Sequence, residues 1–439
     1  MPVPPAHERH RLFAVLGVTF GLAVTIGNTI GGGILRTPGI IATQLPALWA
    51  FLAVWLIGGI YALLGANALA ELGTTVPRSG GQYVFVRHSL GDYAGFIVGW
   101  SDWISTCGTT AAVSIVVGEY AIVLFPKLRA IEVIALVVVA VLTLIQWAGT
   151  KWGSAAQNVT SALKAIVLLL LIGACFWLGG RNPMETTFEP EREGSLLLAF
   201  IISLQAVIYT YDGWSAVIYF SEEVKEAGRN IPKAMFGGIA SVIAIYLLIN
   251  VGFLRVVPLG TIAGEKLAAG VVAQHMFGPS GDQVIRIVMI VALISAVSSN
   301  VLMAPRVLFA MANDGLFWRG AREVNKGGTP DIALLISSIL AALFIVTGTF
   351  ENVIAKLAFF FVANYTLSFA SLFVLRHREP DAQRPFRAWG HPFTTGLALL
   401  ASVAFLIGAV IGDRENSLWA VGILCVSFPV YLLVRPRKS

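Results

Sequence analysis

Apolar residues run along this chain in long stretches, separated by short polar connections. Twelve such stretches stand near residues 14–43, 47–72, 93–124, 130–149, 158–179, 196–220, 234–256, 283–312, 331–349, 353–375, 393–412 and 416–434. A helix crosses a bilayer with roughly 20 predominantly apolar residues, so the pattern predicts an all-α membrane protein of twelve spans. Two spans are interrupted by their own sequence. The first contains Gly27-Asn28-Thr29-Ile30-Gly31-Gly32-Gly33-Ile34-Leu35-Arg36-Thr37-Pro38, and the sixth contains Tyr209-Thr210-Tyr211-Asp212-Gly213-Trp214-Ser215. Each glycine costs a helix about 1 kcal/mol relative to alanine. Close helix packing asks for small residues four apart, as at Gly95 and Gly99, whereas the contiguous triplet Gly31–Gly33 covers every face and suits unwinding. Irregular backbone at that depth persists only where it is buried in protein or lines a watery cavity. Interrupted spans at corresponding places in two halves are the best sequence pointer to a transporter's binding site.

Composition agrees. The 439 residues are 57% hydrophobic and 12% charged, about half the charge of a soluble domain, so the bilayer is the solvent. The net charge of +6 does not form a patch for nucleic acid. Basic residues sit in short connections: Arg9 and Arg11 before the first span, Lys225, Arg229 and Lys233 after the sixth, Arg376, Arg378, Arg384 and Arg387 after the tenth, and Arg435, Arg437 and Lys438 after the last. The opposite side carries fewer, such as Lys127, Arg129, Arg181 and Lys266. This asymmetry places both termini in the cytoplasm and the chain in the cell inner membrane. The start, Met1 to Arg11, shows no cleavable signal, and no connection is long enough for a separate soluble domain. Cys107, Cys175 and Cys425 all fall in apolar runs and read as packing residues. The six histidines lie in tails or connections without metal-ligand spacing, which argues against a membrane-embedded enzyme.

The interrupted spans, with Glu71-Leu72, Pro77-Arg78-Ser79-Gly80-Gly81-Gln82-Tyr83, Glu222-Glu223-Val224, Asn230-Ile231-Pro232-Lys233-Ala234, Arg306, Asn313-Asp314-Gly315 and Arg384-Pro385-Phe386, carry a family resemblance in their order and spacing. The chain resembles the amino acid–polyamine–organocation superfamily, most closely the L-type amino acid transporters and their bacterial relatives. The resemblance implies a LeuT-like fold, with helices 1–5 (about 14–179) and 6–10 (about 196–375) as inverted repeats, discontinuous helices 1 and 6, and helices 11–12 (about 393–434) appended. It also implies alternating access with no cofactor. The family often has Gly-Ser-Gly in the first break; here the middle residue is Gly32, which keeps the backbone donors and loses the hydroxyl. Tyr209 matches an aromatic gate, and Asn250 matches an asparagine near the pocket that otherwise reads as an interhelical hydrogen-bonding group. Lys164, at the start of the fifth span, matches a lysine that takes the place of sodium in sodium-coupled members; on its own it could also snorkel to the interface. Mammalian relatives are disulfide-linked to a single-span subunit through a cysteine between helices 3 and 4. Here that connection, Phe125-Pro126-Lys127-Leu128-Arg129, has none, so no disulfide-linked heavy subunit is expected.

An amino acid presents a carboxylate and an ammonium at fixed spacing. Free N–H groups of Gly31, Gly32 and Gly33, at the positive end of a half-helix, suit the carboxylate. Free carbonyls at Thr29, Ile30, Tyr209 and Tyr211 would receive the ammonium, and Gly213 would leave room in the second break. Asp212 is a candidate ammonium partner, but aspartate ahead of a half-helix is favoured as its N-cap. Trp214 reads as packing; Asp102 and Glu119 are assigned no role. Lys164 would link the first break to helix 8 around Ser295, Ser298 and Ser299, either titrating in proton-linked transport or as a fixed charge in exchange. The expected function is sodium-independent transport of neutral amino acids by exchange or proton coupling. An amine or polyamine carrier is the alternative, ranked lower because only Asp212 supplies a carboxylate. A channel is the remoter one.

Overall fold

The computed structural model describes residues 12–128, 130–179, 196–348, 350–412 and 414–434. Arg9, Arg11, Arg129, Arg181, Arg435, Arg437 and Lys438 lie outside the described residues. The described chain is helical: α1 (Val18–Thr29), α2 (Gly33–Gln44), α3 (Leu48–Thr75), α4 (Gln82–Leu90), α5 (Asp92–Leu124), α6 (Ile131–Trp147), α7 (Thr150–Leu178) and α8 (Leu196–Tyr211). There follow α9 (Ala227–Val256), α10 (Leu259–Ile262), α11 (Ala268–Phe277), α12 (Gly281–Asn313), α13 (Asp331–Thr347), α14 (Phe350–Arg378), α15 (Phe393–Gly412) and α16 (Arg414–Val434). Among the described residues, seven helices are long and apolar enough to cross a membrane, and α1 with α2 forms an eighth as a pair bent by 44°. Apolar helices α6 and α13 are shorter.

Both interruptions expected from sequence are present. α1 stops at Thr29, and α2 resumes at Gly33. α8 stops at Tyr211, a turn follows, and a short 3-10 segment occupies Ala216–Phe220. The fifth span differs from expectation. It begins at Thr150, not near 158, so Lys164 stands at mid-helix rather than at its start. Lys151 and Gln157 fall in the connection ahead of the expected span, yet Gly149 turns the chain at φ 132° and the Thr150 N–H bonds Gly327 O at 2.9 Å, which starts the helix early.

Helices α1, α7 and α12 meet at Gly27. A Cβ there would collide with Gln157, Ser161 and Ser295, so the glycine permits the approach. Polar pairs cross the end of the bundle at which the described chain begins. Leu16 and Val224 form an isolated parallel bridge, with Leu16 N–H to Glu223 O at 2.9 Å and Lys225 N–H to Leu16 O at 2.8 Å. Arg306 donates through Nε and Nη2 to the two carboxylate oxygens of Glu223, both at 3.0 Å, with both side chains buried. Arg78 and Arg87 converge on Asp314 at 2.9 and 3.0 Å. Of the motif Glu222-Glu223-Val224, Glu223 thus takes Arg306 as its partner.

Candidate functional site

The two breaks face each other across a cavity of about 570 Å³. In the first, Gly31 N–H returns to Thr29 O at 3.0 Å and Leu35 N–H to Gly32 O at 3.3 Å. The amides of Gly32 and Gly33 make no backbone hydrogen bond among the described residues. They stand where α2 begins, so unpaired donors and the positive helix end coincide. The three glycines are not equivalent. A Cβ on Gly31 would meet nothing within 4 Å, one on Gly32 would meet Met289 Cε at 3.1 Å, and one on Gly33 would press on Thr210 at 2.9 Å. Gly31 therefore opens on the cavity, while Gly33 lets α2 approach α8.

In the second break, Gly213 adopts φ 103°, and a Cβ there would lie 2.7 Å from Asn28 Nδ2 and 2.9 Å from Asn28 C. Only glycine accommodates both that conformation and that approach. One phenol joins the two breaks: Tyr246 on α9 donates to Thr29 O and to Thr210 O, each at 2.9 Å. Tyr246→Phe is expected to cost about 1–2 kcal/mol, since two buried carbonyls lose their shared donor. A thermal melt in detergent checks this, and an unchanged melting temperature would show that the bond holds nothing together.

Of the residues singled out from sequence, Thr29, Gly31, Gly32, Gly33, Tyr209, Asp212 and Gly213 line the cavity; Ile30, Tyr211 and Asn250 do not. Ile30 O accepts from Lys164. Tyr211 is buried against Tyr246 and Trp55, with ring centroids at 4.8 and 6.4 Å. Asn250 turns back to donate to Tyr246 O at 2.7 Å. Two further carbonyls proposed for the ammonium are engaged as well: Thr29 O by Gly31 N–H and Tyr246, and Tyr209 O by Asp212 N–H at 3.1 Å. The capping role for Asp212 also gives way. Ser215 holds the N-cap position of the 3-10 segment, while Asp212 faces the cavity and its Oδ1 accepts from Tyr365 at 2.8 Å.

Lys164 is fully buried on α7 and donates to Gly27 O, in the last turn of α1, at 2.7 Å and to Ile30 O, its C-cap, at 2.5 Å. A cation there complements the negative end of that helix. The link to α12 runs through its neighbours. Gln157 donates to Ser299 Oγ at 2.8 Å, and Ser161 Oγ lies 3.1 Å from Ser295 Oγ. Ser298 joins through its backbone, accepting from Gln146 at 3.0 Å.

Sequence reasoning passed over Asp102 on α5, which lines the cavity; both its oxygens accept from Tyr219, at 2.8 and 2.9 Å. Its signal was an aspartate inside an apolar span. At one mouth the cavity is lined by Arg36, Ile40, Glu265 and Lys266, the last three exposed. Arg36 donates to the Tyr120 hydroxyl from Nε at 3.1 Å and Nη2 at 2.5 Å. This mouth is at the end opposite the Glu223–Arg306 pair. No group of three His, Cys, Asp or Glu residues able to hold a metal occurs among the described residues.

A family model described as amino acid permease matches residues 12–429. The serine/threonine exchanger SteT of Bacillus subtilis (strain 168) is 29% identical, over 98% of this chain and 99% of its own. The large neutral amino acids transporter small subunit 2 of Mus musculus is 26% identical, over 95% and 80%. The b(0,+)-type amino acid transporter 1 of Mus musculus is 25% identical, over 91% and 83%.

Proposed function

The chain belongs to the amino acid permease family, a family of membrane transporters and not of enzymes, and from that premise we propose that it exchanges neutral amino acids across the cell inner membrane, independently of sodium. The observation that carries the reading is the first break. Unpaired amides of Gly32 and Gly33 at the start of α2 face a cavity of about 570 Å³, room enough for an amino acid. Such a site receives a carboxylate by charge-assisted hydrogen bonds. Exchange is favoured because Lys164 sits as a buried bridge to Gly27 and Ile30, where it holds the break without a sodium ion. The full-length match to a bacterial exchanger supports the same choice.

The architecture that goes with this function has twelve spans. Residues of about 14–179 and 196–375 form inverted repeats of five helices with discontinuous first members, two helices follow at about 393–434, and both termini are cytoplasmic. The carrier works alone, since the α5–α6 connection offers no cysteine to a heavy subunit. A second reading, an amine or polyamine carrier, gains from Asp102, which joins Asp212 on the cavity wall. It ranks lower because an amine without a carboxylate leaves the glycine amides unpaired, at about 1–3 kcal/mol each.

The test uses purified protein alone in proteoliposomes. Uptake of a labelled neutral amino acid should require unlabelled amino acid inside and should not change when choline replaces external sodium. Uptake into empty vesicles driven by a sodium gradient would refute the proposal, and inhibition by polyamines stronger than by amino acids would favour the second reading.

A further inference from the structure

Two of the motifs singled out in the sequence, Glu71-Leu72 and Arg384-Pro385-Phe386, meet in space, and neither lines the cavity. Glu71 is fully buried on α3, near the end of the bundle that bears Leu16. Arg376, in the last turn of α14, donates to both of its oxygens, at 2.9 and 2.6 Å, and Ala388 N–H reaches Oε2 at 2.6 Å. Arg384 Nε lies 3.1 Å from Oε1, while its Nη atoms gather the carbonyls of Glu379, Pro380 and Ala382. One guanidinium thus folds the α14–α15 connection on itself and pins it to α3. One turn earlier on α3, Asn67 gives Nδ2 to Trp389 O at 2.8 Å and takes Trp389 N–H on Oδ1 at 2.9 Å. The connection also lies on α9. Trp389 stacks on Phe236 with centroids 4.8 Å apart, and a Cβ on Gly228 would fall 2.6 Å from Pro385 Cβ.

The helix held by this connection also grips the second break. Tyr365 on α14 donates to Asp212 at 2.8 Å, lies 3.2 Å from Ser215 Oγ and stacks on Trp214 at 4.9 Å. Gly65 on α3 lets the junction close, because a Cβ there would strike Trp214 and Phe369 at 2.6 and 3.2 Å. Tyr365, Phe369 and Arg376 share one stripe of α14, so that face is held at mid-length to the break and at its end to α3. Toward α4 and α5 the attachments printed by the structure are weaker. Ser101 bonds Asn364 at 2.9 Å, Ser368 bonds Gln82 at 3.2 Å and Arg378 bonds Ser89 O at 2.9 Å. His88 and Glu379 form an exposed pair, and Phe360 packs in a small apolar cluster with Ala112. Exposed pairs contribute little, whereas buried charge-assisted bonds are the strong ones.

We infer that the α14–α15 connection is a clasp, with Glu71 as its positioning residue, which makes α14 move as one body with α3, α9 and the second break while it slides against α5. This rests on the exchange reading above and deepens it. Alternating access in carriers with interrupted helices is largely the rocking of one group of helices against another about the site. Phe361 and Tyr365 put α14 on the cavity wall between two such groups, and the clasp decides which of them it follows. Tyr365 then stays on Asp212 in both states, so that carboxylate keeps its donor as the cavity turns over.

The test places spin labels on the full chain, with exposed Cys425 replaced by serine and buried Cys107 and Cys175 left in place. His377→Cys on α14, Lys233→Cys on α9 and Asp92→Cys on α5 are exposed positions, used in pairs. Double electron–electron resonance reads the three distances without ligand and with L-alanine, L-serine and L-leucine at saturation. The α5–α9 and α5–α14 distances should shift together, and the α9–α14 distance should stay fixed. A shift of α5–α9 that α14 does not follow, a shift between α9 and α14, or no shift in any pair overturns the clasp. Glu71→Gln, and the milder Asn67→Ala in case the first does not fold, should uncouple the two shifts and lower the maximal exchange rate roughly 10-fold, with half-saturation held within about 3-fold. Coupled shifts and an unchanged rate in the variants would also overturn it, because the connection would then only pack. Absence of amino-acid exchange by the unmodified carrier removes the transport reading instead, and the distances judge the clasp alone.

Discussion

Gly31→Val should leave a folded, monodisperse protein that no longer binds its amino acid. A Cβ at this position meets no atom within 4 Å, so the substitution displaces nothing in the protein itself. The added methyls enter open space in the cavity that Gly31 lines together with Gly32 and Gly33. Charge-assisted hydrogen bonds are worth about 1.5–3 kcal/mol each, so denying the carboxylate two of them weakens binding by roughly 100-fold or more. Titration calorimetry reads the loss, and size-exclusion chromatography reports folding. Affinity within a few-fold of the unmodified protein would mean that the carboxylate sits elsewhere. Gly33→Val and Gly213→Val are poorer tests. The first pushes α2 away from Thr210, and the second is strained at φ 103° whatever the ligand does.

Lys164→Met should slow exchange strongly with substrate binding much less affected. Methionine keeps most of the length and removes the charge. Gly27 O and Ile30 O then lose their donor inside the protein, at about 1–3 kcal/mol each, and the end of α1 loses its tie to α7. We expect the exchange rate to fall at least ~10-fold, since 1.4 kcal/mol is already a factor of ten. Exchange at the unmodified rate would show that the bridge is dispensable. Two behaviours of the unmodified carrier separate the roles left open by the sequence: acceleration by an inward proton gradient identifies a titrating lysine, and dependence on internal amino acid alone identifies a fixed one.

The breaks were legible because glycine and bilayer make opposing demands. Three contiguous glycines weaken a helix, and a bilayer tolerates unwound backbone only where it is buried in protein or lines a cavity, so the triplet marked a break with a purpose. Spans such as α3, α5 and α12 were legible from length and apolarity alone. The short helices α4, α10 and α11 were not, since nine, four and ten residues carry too little periodic signal. Which carbonyls remain free was hidden for another reason. Thr29 O and Ile30 O are occupied by Tyr246 and Lys164, residues more than 130 positions away in the chain, and no local rule reports such a partner. Asn250 illustrates the same limit. Its place in an apolar helix announced a polar role but not its direction, and it bonds the turn below it. Asp102 was visible as a charge in a span, yet only the fold brings Tyr219 to it from 117 positions away.

The pairs that cross the end bearing Leu16 are ions and amides, with Arg306 on Glu223 and Arg78 and Arg87 on Asp314. An oily plug of the same area would forfeit about 25 cal/mol for every Å² wetted on opening. A buried ion pair behaves differently, because each partner regains hydration as it loses the other, and the two terms nearly cancel. On the exchange proposed above, alternating access across such a closure runs between almost isoenergetic states. The energy of one bound amino acid then suffices to tip the balance, and an empty carrier rests at neither face by much. Replacing Glu223 and Arg306 with a matched apolar pair would therefore make the protein more robust and the carrier slower, because the molecule would become too content with one face of the membrane.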